Sequence, residues 1–395
     1  MLADNRPLVS SLASAETGPA ISPLKPGASI ASDAAAGQWT LIRHRFFRNK
    51  VAAFAGCIIL LLYLIGAFAE FLAPGLPNAS RPQYTFAPPQ RISFFAPGAD
   101  GGREFLPHVK GYRIEIEPQA LRRTFVIDEN KVIPIGFFVD GPAYRLWGLI
   151  PMTTHLMGPL DSREPMYLLG SDRLGRDLLS RLIYGTRISM SIGLAGVAIS
   201  LTLGIVFGAI SGFYGGWVDT VIQRVIEIVS AMPTIPLWLG LAAAIPLTWS
   251  PLSVYFVVTL IVSLLGWTGL AREVRGRFFA LRGEDFVTAA RLDGSRERRI
   301  IFRHILPSLT SHILAVVTLA VPTMIVAETS LSFLGVGLKP PVVSWGVLLQ
   351  DAQNVRSVAT APWLLIWPSL AVVTAVLSFN FFGDGLRDAA DPYDS

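Results

Sequence analysis

The sequence predicts an all-α polytopic membrane protein of about six transmembrane helices, with a small β-rich insertion after the first. Three observations carry this. Of 395 residues, 52% are hydrophobic and only 15% charged, and the mean hydropathy is +0.50; a soluble domain holds far more charge. Apolar runs of roughly 20 residues, enough to cross the hydrocarbon, fall at 51–73, 188–213, 220–245, 252–271, 312–334 and 362–382. Charge is concentrated: Arg43, Arg45, Arg48 and Lys50 lead into the first run, and nine arginines from Arg272 to Arg303 separate the fourth from the fifth. Basic residues stay cytoplasmic, so both ends of the chain are expected inside.

The elements follow in order. Residues 1–36, rich in Ala, Ser, Pro and Gly without periodicity, read as a disordered cytoplasmic tail. Asp4 stands where a signal peptide carries positive charge, and no apolar core follows. Residues 37–73 combine a basic amphipathic lead-in with the first span. Residues 74–187 are placed outside as an insertion and an interfacial segment. Within it Tyr112 to Glu117 alternates, and 124–127 and 132–139 flank Asp128-Glu129-Asn130-Lys131, which reads as a hairpin turn. The insertion is either a spacer packed on the spans or a receiving surface for an outer protein. Asp172, Arg173, Arg176, Asp177, Arg181 and Arg187 read as an interfacial helix pinned by Asp–Arg pairs.

Residues 188–395 form the core of five further spans, with a cytoplasmic loop at 272–311. In the second span Gly193, Gly196, Ser200, Gly204, Gly208 and Gly212 recur three or four apart. Such a stripe lets helix backbones approach closely; its partner is a helix of this chain or of another subunit. Pro233 and Pro236 should bend the third span. Glu328 lies inside the fifth, where a carboxylate needs a partner or a wet cavity; a hydrogen-bonded place near the outer end of the bundle is expected. Ser344 can cap a short helix from 345 to about 354, resting on the outer face.

The one long polar stretch is EDFVTAARLDGSRERRIIFRHILP (284–307). It reads as two short helices around Asp293-Gly294, a turn dipeptide. Phe286, Ala289, Ala290 and Leu292 give one small apolar face; Ile300, Ile301 and Ile305 give another. Ser295 can cap the second helix, Glu297 suits its first turn, and Pro307 ends it. The element has the form of a knob for docking. Its arginines are interrupted by Glu273, Glu284, Asp285, Asp293 and Glu297 and lack stacking aromatics, so contact with anionic lipid fits better than nucleic acid.

This stretch resembles the "EAA" loop of ATP-binding cassette importer permeases through Ala289-Ala290, Gly294 and Leu306-Pro307, with Thr288 at the family's glutamate and His304 at its isoleucine. Further matching text is LGSDRLGRDLLSRLIYGTRIS (169–189), GFYGGWVD (212–219), ETSLSFLGVGLKPP (328–341), SWG (344–346) and GDGLRDAADP (383–392). Together these resemble the second permease subunit of peptide/nickel-type importers. The resemblance implies a type I importer permease fold in the bacterial inner membrane. It also implies ATPase coupling through Thr288, Ala289, Ala290, Gly294, His304, Leu306 and Pro307. The implied partners are a second permease, two ATPase subunits and a periplasmic substrate-binding protein. Peptides are the implied substrate, with nickel, oligosaccharide or another small solute as alternatives.

Nothing in the chain looks catalytic. There is no Gly-x-x-x-x-Gly-Lys-Ser/Thr loop to cradle phosphates, so ATP and Mg are expected on partner chains. His44, His108, His155, His304 and His312 are scattered, and Cys57 is the single cysteine; no metal-ligand spacing results. An ATPase-independent channel and a membrane-bound enzyme are the rival classes. The second would need a polar constellation at a span end.

Overall fold

The computed structural model describes residues 38–97, 103–117, 122–246 and 248–390, so the tail expected at 1–36 lies outside them. α1 (Gln38–Arg48) leads into α2 (Lys50–Ala67). Between them the Asn49 side chain accepts the Ala52 amide at 3.2 Å and caps α2. The helix stops at Phe68, short of the expected 73, and Ala69–Leu72 (α3) starts a separate turn.

β1 (Ile92–Pro97), β2 (Arg103–Glu117), β3 (Arg122–Leu146) and β4 (Ile150–Pro159) form an antiparallel meander in that order. The turn expected at 128–131 is not a turn. Lys110 pairs with Val132 and Gly111 with Asp128, so 129–131 bulge out of an unbroken strand. Gly111 makes room for this: a Cβ there would lie 2.5 Å from the Lys131 stem. The sheet is fixed to the rest by buried tyrosines. Burial pushes the Tyr112 and Tyr167 hydroxyls up, keeping them neutral donors to the Pro88 and Gly175 carbonyls.

α4 (Leu178–Tyr214) has 37 residues, about 55 Å at 1.5 Å per residue. The segment 178–187, expected as a separate interfacial helix, is its first part. Asp177 caps it, accepting the Ser180 amide at 2.8 Å and hydroxyl at 2.6 Å. Burial pushes the Asp177 carboxyl up to about 6. The expected Asp–Arg pairs are present: Arg181, 1% exposed, meets Asp172 and Asp351, and Arg176 Nε lies 2.6 Å from Asp172.

α5 (Gly216–Ala231) and α6 (Thr234–Ala243) meet at 83°. Met232 is extended, ψ 133°, as a residue before proline prefers, and Pro233 follows at the break. Pro236 does not bend anything; it sits in the first turn of α6, where its missing N–H costs nothing. α7 (Pro251–Leu281) is capped by Ser250, and α8 (Asp285–Leu292) follows. After a short stretch come α9 (Thr310–Phe333), α10 (Trp345–Asp351), α11 (Val355–Thr360) and α12 (Trp363–Ala390).

Contacts fix the direction of each pass. Gly196 lies against Ser263, Gly204 against Leu270, Gly208 against Val274 and Gly212 against Phe278. Rising numbers match rising numbers, so α4 and α7 are parallel. The chain between them must therefore cross back, and α5 with α6 is one broken span, the sixth. α9 opposes α4: Ser189 meets Glu328, and Gly193 meets Ile325 and Val321. α12 opposes α9 and α2, since Gly383 meets Leu319 and Gly385 meets Ala52. One end of the bundle thus collects α1, the α4–α5 turn, the arginine-rich loop and the end of α12; Ile42 packs there on Leu386 and Ala389. The sheet and α10 lie at the other end. α10 is not laid on the surface as expected. Its Trp345 is wholly buried and wedged against Gly185.

Candidate functional site

α8 presents two faces. Val287 and Ala290 point inward, onto a cluster with Phe213, Leu270, Val274, Phe278 and the isoleucines that follow. Phe286, Ala289 and Leu292 point outward with Thr288, and Leu292 is 86% exposed. The sequence reading had Ala289 and Ala290 on one face. They are about 100° apart on a helix, and the structure gives Ala290 to the core and Ala289 to the surface. Val287 was missed because a lone β-branched residue in a polar stretch gives no periodic signal.

A Schellman turn ends α8. The Ser295 amide reaches the Ala290 carbonyl at 3.1 Å and the Gly294 amide the Arg291 carbonyl at 3.0 Å. Gly294 adopts φ +73°, yet among the described residues, its two chain neighbours aside, no atom lies within 4 Å of where its Cβ would be. Glycine is there for its backbone, not for space. Ser295 does not cap the next segment; Arg296 occupies that position, with no side-chain bond. Ile300–Ile305 is a π-helical turn closed by the Leu306 amide on the Ile301 carbonyl. The wider i→i+5 turn brings Ile300, Ile301 and Ile305 all to the core. His304 is half-buried within it, its Nε2 without a partner among the described residues, and Leu306 and Pro307 carry the chain toward α9.

The loop is tied to the bundle. Tyr214 donates to Glu297 at 2.8 Å, and the Arg291 guanidinium lies 5.4 Å over the Phe213 ring. Asp219 binds Arg275 of α7 through both Nε and Nη2, at 2.5 and 2.6 Å, and also accepts from Ser211. These contacts make the α4–α5 turn, α7 and α8 one block. The stripe Gly193, Gly196, Gly204, Gly208 and Gly212 lies along α7, with its first member on α9; the partner is within this chain. Asp219→Asn loses the two-pronged acceptor and should lower unfolding temperature in detergent, by roughly 1–3 kcal/mol of stability. An unchanged melting curve would contradict the clamp.

At the sheet end Glu328 is wholly buried. Ser332 and Ser344 each donate to its Oε1 at 2.8 Å, and Ser189 reaches Oε2 at 3.4 Å. These join α9 to α4 and to the start of α10. At the basic end a cavity of about 790 Å³ opens between α4, α7 and α9, with Val197, Met324, Arg272 and Arg277 in its wall. Gly269 and Gly276 of α7 have open space at their Cβ positions, so they widen this cavity rather than seat a helix. Sequence reasoning did not find the cavity. A glycine facing a void and one facing a helix look alike in sequence.

Two family models match parts of this architecture. One, described as the inner membrane component of binding-protein-dependent transport systems, matches residues 204–393. The other, the N-terminal transmembrane domain of oligopeptide transport permease C, matches 37–89. The oligopeptide transport system permease protein OppC of Haemophilus influenzae is 39% identical over 61% of this chain and 75% of its own. The glutathione transport system permease protein GsiD of Pectobacterium atrosepticum is 38% identical over 57% of this chain and 72% of its own. A MetNI methionine transporter solved in inward-facing conformations aligns over 53% of this chain and 96% of its own, at 15% identity and a TM-score of 0.43. Residues 204–393 contain Gly204, Gly208 and Gly212, the split-faced α8, Glu328 with Ser332 and Ser344, and the final span, and three quarters of OppC is covered at 39% identity, so the chain belongs to the permease family of binding-protein-dependent ABC transport systems.

Proposed function

We propose that this chain forms half of the translocation path of an ATP-driven importer, the other half coming from a second permease subunit. Hydrolysis is assigned to separate ATPase subunits, which hold the ATP and Mg. Peptides are the proposed substrate, delivered by a binding protein at the sheet end; relatives named for oligopeptide and glutathione transport support this class. The basic end is read as cytoplasmic, with both termini there, because arginines gather at that end.

The observation that carries the reading is the split of α8. One face is locked to α4 and α7, while the other presents Phe286, Ala289 and Leu292 to solvent. A rigidly mounted apolar knob transmits force only if something grips it. Closure of the ATPases would move the knob and, through the block around Asp219 and Arg275, the spans. Co-expression with the second permease and the ATPase subunits tests this. Leu292→Asp is expected to lower ATPase recovery roughly tenfold, the loss of one interface leucine, while the second permease stays bound. Full ATPase recovery with Leu292→Asp would remove this surface from the mechanism.

A further inference from the structure

We propose that the tip of the β3–β4 hairpin is a membrane anchor, seated among the lipid headgroups where α2 leaves the bilayer. The tip is Trp147-Gly148-Leu149, with Ile150 opening β4 opposite Leu146. Trp147 Nε1 donates to the carbonyl of Ala67, the last residue of α2, at 2.7 Å. Its ring lies 5.7 Å from that of Phe68, and farther along β3 the Phe138 ring lies 6.1 Å from Phe71. The hairpin therefore sits against the point where a membrane span ends.

Its apolar groups are not covered by the chain. Leu149 is 76% exposed, and Trp147, Phe138 and Ile150 are also exposed. α2 itself is mostly outward-facing, with Leu60, Leu61 and Leu64 exposed and Phe68 exposed just past its end, as suits a lipid-facing helix. Exposed Leu61 and Leu64 on α2 lead to Phe68, whose ring neighbours that of Trp147. α2 is long and apolar enough to cross a membrane and its outer face is not covered by this chain, so lipid is the occupant that continuity assigns to the tip as well. A tryptophan with its N–H bonded and its ring at a span end has the habit of an interfacial anchor. The exposed Arg145 beside it has no ion-pair partner among the described residues and can meet a headgroup phosphate. Backbone strain points the same way. Trp147 and Phe138 both hold φ +55°, unfavourable for bulky side chains, and such outliers persist where position matters. Anchored there, the sheet keeps a fixed tilt over the bundle.

The test uses the assembled transporter in vesicles of phosphatidylethanolamine and phosphatidylglycerol. On a Cys57→Ser background, an environment-sensitive fluorophore is attached at Leu149→Cys or, as control, at Phe94→Cys on β1 at the far edge of the sheet. Nitroxide lipids labelled near the headgroup are expected to quench the Leu149 probe roughly twofold, the depth of interfacial side chains, and to leave the Phe94 probe unchanged. Both sites are exposed, so both variants should fold. Equal quenching at the two sites, or none at Leu149, overturns the proposal. So does a Leu149 probe that is shielded only when the substrate-binding protein is added, which would make the tip a protein-docking surface.

Discussion

Gly208→Leu is expected to remove nearly all of the folded protein from the membrane. A single Cβ at Gly208 would lie 2.6 Å from the Ala271 carbonyl oxygen and 2.8 Å from the Val274 Cβ. A main-chain oxygen of α7 cannot rotate aside, so the two helices must part. Parting them also loosens Gly204 on Leu270 and Gly212 on Phe278, because one rigid pair of helices carries every contact. Overpacking a core by a methylene costs about 1–3 kcal/mol; leucine adds far more bulk against backbone. In a membrane, close packing of this kind is the main force between helices. Gly196→Ala is the internal comparison. The nearest neighbours of its Cβ would be the Ser263 hydroxyl at 3.3 Å and the Met324 side chain from 3.4 Å, and both side chains can yield. Yield of monodisperse complex after solubilisation should be near normal for Gly196→Ala and close to zero for Gly208→Leu. Normal yield for both would mean that α4 and α7 are not packed as described.

What was legible in the sequence divides along a physical line. Spans announce themselves because bilayer thickness sets their length, and the small-residue stripe because close approach allows little else. The Asp–Arg pairs at 172–181 could be expected because buried charge needs a partner. The burial of Trp345 could not, since a capped short helix reads the same on a surface or in a core. The bulge at 129–131 misled because Asp-Glu-Asn-Lys has turn chemistry, while the pairing of β3 with β2 is set by residues far along the chain. The third span shows a partial success. Its bend was expected from two prolines, but only the one after Met232 makes it, because a proline in a helix's first turn disturbs nothing. In the candidate site the short helix and its glycine turn were legible and the orientation of the helix was not. Adjacent residues lie about 100° apart on a helix, so only one of the two alanines can face the core, and which one is set by contacts with Phe213, Leu270 and the isoleucines at 300–305 that lie outside the helix.

Gly294→Arg is expected to abolish uptake in reconstituted vesicles and to uncouple ATPase stimulation by the binding protein, with insertion of the chain unchanged. Two effects of the substitution must be separated. Any L-residue at φ +73° meets left-handed strain, about 1–2 kcal/mol. That strain is felt by the turn alone, since the Schellman bonds from Gly294 and Ser295 close locally. The arginine side chain, by contrast, projects into open space beside Leu292, where the ATPase is proposed to close on the knob. Gly294→Asn carries the distinction, because asparagine tolerates the left-handed region and is shorter. If the docking surface is what matters, the asparagine variant keeps most of its uptake and the arginine variant keeps almost none. If both lose transport equally, the turn geometry is responsible and the surface is not gripped at Gly294. If both transport normally, force does not enter the permease through this loop, and the coupling assigned to α8 is wrong.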